Sequence, residues 1–77
     1  MPTFHYTVDG EPMTTDKHEM TPREILTGAG FDPSKFYLIQ IEGDHEVSYK
    51  DRPDEVIHMH DKMTFITAKL GPTPVSW

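Results

Sequence analysis

Cysteine is missing altogether from the 77 residues. Disulfides, thiolate nucleophiles and cysteine-based zinc sites are therefore excluded together. Long apolar runs are missing too, with no stretch approaching the roughly 18 residues of a membrane-spanning helix. The opening Met1-Pro2-Thr3-Phe4-His5-Tyr6 lacks a basic segment followed by an apolar one, so it does not read as a secretory signal. A soluble, cytoplasmic protein is expected. Positive charge is scarce, with 7 Lys and Arg against 13 Asp and Glu and a formal charge of -6. Nucleic acid needs a basic face and is not an expected partner. No glycine-rich phosphate loop is present, and Ser34, Ser48 and Ser76 lack a nucleophile-elbow context. Acid pairs such as Asp9 and Glu11, or Asp54 and Glu55, fall in turns where solvated carboxylates are ordinary. No catalytic residue and no cofactor are expected, because so short a chain can scarcely shape both a core and a walled pocket.

What is present is periodic. Phe4, Tyr6 and Val8 alternate with polar residues, the period of a half-buried strand. Asp9-Gly10 tolerates positive φ at both positions and signals a hairpin. A weaker strand around Pro12 to Thr15 follows, with one side exposed because Pro12 cannot donate to a ladder. Met20-Thr21-Pro22-Arg23-Glu24-Ile25 predicts a helix start. Thr21 is placed to cap, Pro22 suits the first helical position, and Glu24 closes a capping box. Met20 and Ile25 have the spacing of a hydrophobic staple. Ile25, Leu26 and Ala29 form the expected buried stripe, and Gly30 ends a helix of about eight or nine residues.

The remainder reads as strands and turns. Phe36 to Ile41 is almost continuously apolar, as in an interior strand covered on part of both faces. Glu42-Gly43-Asp44 is a turn into His45 to Tyr49, with Val47 and Tyr49 on one side. A charged loop from Lys50 to Glu55 leads to a short strand, Val56 to Met59, and a last strand, Met63 to Lys69. The fold class is α+β, with one short helix across one face of a mixed four- or five-stranded sheet. Residues 1–70 form the expected domain, and residues 71–77 form a tail holding Pro72 and Pro74.

This order resembles the ubiquitin-like β-grasp superfamily, and more closely the multiubiquitin-type domain of bacterial ubiquitin-like proteins. The resemblance spans about residues 3 to 69. It rests on Phe4 to Gly10, on Met20 to Leu26 with Ala29-Gly30, on Tyr37-Leu38-Ile39, and on Val56 to Phe65. Members of that group usually have no active site. Several are encoded beside relatives of activating and conjugating enzymes and deubiquitinating peptidases, in loci linked to antiviral defence. The resemblance implies a protein modifier, joined through a C-terminal glycine carboxylate to an amine by an isopeptide bond. Its partners would then be activating-enzyme-like, conjugating-enzyme-like and peptidase proteins. Gly71 is the only glycine near the end and six residues follow it, so processing would have to cut between Gly71 and Pro72. Ubiquitin differs in presenting a longer tail that ends in two glycines. A non-covalent interaction or adaptor domain with an intact tail is the alternative.

Ubiquitin-like folds commonly receive partners on the sheet face away from the helix, and the resemblance implies such a face here, with His5, Thr7, His45 and Thr67 as its candidates and Tyr37 or Tyr49 as anchors. Trp77, at the end of a proline-bearing tail, reads equally as a handle for a partner or as an end with no role. His58 and His60 are spaced to share one strand face, but no third ligand is forced by spacing, and no metal is expected.

Overall fold

A computed structural model describes residues 3–71. Strands β1 (Phe4–Val8) and β2 (Glu11–Thr15) form the first hairpin. Asp9 and Gly10 close it at φ 53° and 82°. Positive φ at both loop residues is the type I′ pattern, whose twist matches that of the flanking strands. A two-residue strand, β3 (Glu19–Met20), precedes helix α1 (Pro22–Gly28). Strands β4 (Phe36–Glu42) and β5 (His45–Ser48) make the second hairpin across Gly43-Asp44. Two more strands follow, β6 (Ile57–His58) and β7 (Met63–Lys69).

The main sheet has the order β2-β1-β7-β4-β5. The last strand enters the middle, parallel to β1 with Tyr6 opposite Met63, and antiparallel to β4 with Ile39 opposite Ile66. With the single helix across one face, the topology is mixed α+β and β-grasp-like. Strand β2 lies at an edge, where a proline is tolerated. The ribbon β3-β6 lies outside the main sheet and pairs Glu19 with His58 and Met20 with Ile57.

Alternation places Tyr6, Val8, Leu38, Met63 and Phe65 on the helix side, where they meet Ile25 and Leu26 in the core. Phe65, Ile25 and Leu38 have no exposed surface. The helix starts as its residues dictate. The Glu24 N–H donates to the Thr21 hydroxyl at 3.2 Å, and the Thr21 N–H donates to the Glu24 carboxylate at 2.9 Å. It ends in a Schellman arrangement, with the Phe31 N–H on the Leu26 carbonyl and the Gly30 N–H on the Thr27 carbonyl. Gly30 stands at φ 90°, which explains glycine there. The helix spans 7 residues, shorter than expected, because its last turn tightens onto Ala29.

Candidate interaction face

The sheet face turned away from α1 is built by the opposite strand parity. On β4 and β7 it carries Tyr37, Ile39, Ile41, Ile66 and Ala68, all half-buried. Ile39 lies directly across from Ile66, and Tyr37 from Ala68, so these residues form one apolar stripe over the two central strands. The Lys50 ammonium sits 5.8 Å from the centre of the Tyr37 ring. That contact borders the stripe with a cation. Toward β1 and β2 the same face turns polar, through His5, Thr7 and Thr14.

The fold brings only some of the candidate partner-surface residues to this face. His5, Thr7 and Tyr37 belong to it. His45, Tyr49 and Thr67 do not. His45 pairs with Glu42, two residues beyond Gln40, and the pleat therefore turns it to the helix side at an exposed hairpin tip. Thr67 pairs with Leu38 and is held by Asp9: its N–H and hydroxyl donate to the two carboxylate oxygens at 2.9 and 2.6 Å. Tyr49 is buried at 8% exposure, with its hydroxyl 3.4 Å from the Gln40 amide oxygen. Burial raises the Tyr49 phenol above its ordinary value, and the nearby Glu55 carboxylate adds to the shift. Tyr49 is thus a packing residue, with the Arg52 guanidinium 5.0 Å from its ring centre. A one-residue change of parity decides each of these placements.

Gln40 is the buried polar residue of the core, and its amide nitrogen donates to the Glu42 carboxylate at 3.0 Å. Acids read as plain solvated turn residues have partners as well. Asp54 takes a forked pair of bonds from Arg23, which lowers its carboxyl below the usual range. Glu55 lies 3.2 Å from Arg52, and Asp9 joins β1 to β7. His58 is 3.6 Å from the Glu19 carboxylate across the β3-β6 ribbon. Among the described residues no group of three His, Asp or Glu is placed to hold a metal, and no helix is long and apolar enough to cross a membrane.

Gly71 is exposed at the end of the described chain. One residue before it, the Leu70 N–H donates to the Lys35 carbonyl at 2.8 Å, tying the strand exit to the start of β4. Pro72 and Trp77 lie outside the described residues. In comparisons with protein-family models, curated proteins and solved structures, nothing matches this chain.

The apolar stripe on β4 and β7 carried a signal in the sequence. Phe36 to Ile41 is apolar at both parities, and a strand covered on only one face would alternate. The outward position of Ile66 carried none, since Met63 to Lys69 reads equally well in either register.

Proposed function

We propose that this protein is a non-covalent protein-recognition domain that engages partners through the open sheet face. The observation that carries the reading is the apolar stripe of Tyr37, Ile39, Ile41, Ile66 and Ala68 on the two central strands, unpartnered among the described residues. A rigid sheet pre-organises such a stripe, so little ordering is left to offset on binding. Tyr37 is its anchor, since an aromatic ring buries much area while keeping a polar end.

The second reading is the covalent modifier implied by the resemblance, with Gly71 as the conjugation point. It draws support from the exposure of Gly71 and the open space where a side chain would sit. It stands second because of the bond from Leu70 to Lys35, which leaves Gly71 close against the domain. A modifier tail has to be extended and thin to thread an enzyme cleft, and that bond would have to break first.

The two are tested on one preparation. A photo-crosslinking residue is placed at Ile66 on the open face, or at Glu24 on the helix, and the protein is recovered from its native cells and weighed intact. Defined protein adducts from position 66 but not from position 24, on a chain still ending at Trp77, are the expected result. Equal or absent crosslinking at the two positions overturns the face assignment. A chain ending at Gly71 and joined to lysine amines overturns the non-covalent reading in favour of the modifier.

A further inference from the structure

Between β2, β1 and β7 the structure holds a depression of about 440 Å3. Small-molecule sites generally measure roughly 300–1,000 Å3. Pairing puts His5 opposite Thr14, and Thr7 opposite Pro12 and Thr64, so these side chains share the open face, and Lys62 completes the rim. Tyr6 and Met63 lie between them, but their side chains are buried in the core, which leaves main chain as the floor.

The lining is selective in charge. The chain has 13 carboxylate side chains, yet none lines this depression. Glu11 and Asp61 adjoin it along the chain, next to Pro12 and Lys62, and the Asp61 Oδ1 accepts the His5 N–H at 2.7 Å. The hydroxyls of Thr15, Thr21 and Thr67 all have protein partners. Those of Thr7, Thr14 and Thr64, the His5 ring and the Lys62 ammonium have none among the described residues. An ammonium offers donors only, and hydroxyls and imidazole add further donors. Pro12 and the threonine methyls supply apolar wall. The cation is also held at its base: Lys62 sits at φ 68°, and its N–H donates to the His5 carbonyl at 2.7 Å.

We infer that this depression is a binding site for a small organic anion, a carboxylate or phosphate head on a compact apolar body. Lys62 and the threonine hydroxyls take the head, Lys62 as the one Lys or Arg in the lining and the hydroxyls as donors without a protein partner among the described residues. The body lies along Pro12. This site is distinct from the apolar stripe over β4 and β7 and does not depend on the protein-recognition reading.

The test is an NMR titration of the full-length, nitrogen-15-labelled chain at fixed salt. The probes are benzoate and phenyl phosphate, with benzamide as the neutral counterpart of benzoate. At least one anion is expected to give saturable shifts at the His5, Thr7, Thr14, Lys62 and Thr64 amides. A dissociation constant on the order of 1–10 mM suits a ligand of this size. Benzamide is expected to bind at least about tenfold more weakly, and Lys62→Gln to weaken the anion about tenfold. Lys62→Arg is expected to retain binding, and Lys35→Gln to leave it unchanged, with the dispersion of each spectrum reporting that the variant is folded. The inference is overturned if neither anion saturates, if benzamide matches benzoate, if Lys62→Gln keeps full affinity, or if the shifts spread equally to Lys35, Lys50 and Lys69.

Discussion

Asp9 fills two needs with one side chain. Its backbone takes positive φ in the first turn, which aspartate, asparagine and glycine tolerate better than other residues. Its carboxylate then holds Thr67, a residue 58 positions away, through two bonds. The turn half of that role is legible in Asp9-Gly10, because turn preference is local. The clamp half is not, since nothing near Asp9 in sequence specifies which strand will arrive beside it. Asp9→Ala is expected to lower unfolding free energy by about 2 kcal/mol, combining the strained turn with the lost hydrogen bonds. Asp9→Asn keeps the turn and one acceptor, and is expected to cost less than about 1 kcal/mol. Urea denaturation of the two variants checks this, and equal losses would show that the carboxylate clamp on Thr67 matters and the turn preference does not.

At the scale of elements, α1 is the part most completely written in its own residues. Thr21, Pro22, Glu24 and Gly30 each act within one turn of their position, so helix start and stop are legible without any partner. Thr21→Ala removes the cap and is expected to cost about 1 kcal/mol. The same capping box also shapes the acid limb of stability. The Thr21 N–H is the leading cause holding the Glu24 carboxyl below its usual range, with Lys17 adding to it. Asp32 is lowered in the same direction by the Ser34 N–H and hydroxyl, and Asp54 by Arg23. A depressed carboxyl adds stability above its unfolded pKa, roughly 4, and loses it as pH falls through the folded value. The wild-type chain should therefore weaken below about pH 4. Glu24→Gln, which removes the titrating carboxyl, should show a shallower fall, measured as denaturation midpoint against pH. These groups are solvent-exposed, so raised salt should shrink the effect. The ribbon β3-β6 shows the opposite case: Glu19-Met20 has no strand signal of its own and is a strand only because Ile57-His58 lies beside it.

For the whole molecule, a domain of this length has roughly 4–12 kcal/mol of stability in total. Single core losses are therefore a large share of it. Phe65 has no exposed surface and makes an edge-to-face contact with Tyr6 at 5.9 Å between ring centres. Its neighbour Ile66 points the other way, onto the open face. Phe65→Ala is expected to cost about 3–5 kcal/mol, a large share of that total. Ile66→Ser is expected to cost about 1 kcal/mol or less and to diminish crosslinking from the open face. Thermal melts of the pair measure the parity of β7 directly, and a reversed ranking would overturn the register.

By itself the sequence determined what depends on neighbours along the chain. It specified the capped helix, both glycine-bearing hairpin turns and the exposed edge at Pro12, all set by short-range sterics and hydrogen bonding. Tertiary structure alone decided what depends on pairing between distant strands. It set β7 beside β1, tied Asp9 to Thr67, and turned His45, Tyr49 and Thr67 to the helix side while His5, Thr7 and Tyr37 face outward. The physical reason is the two-residue period of a strand. Its pattern can leave two registers almost equal, and only the strand that docks beside it selects one.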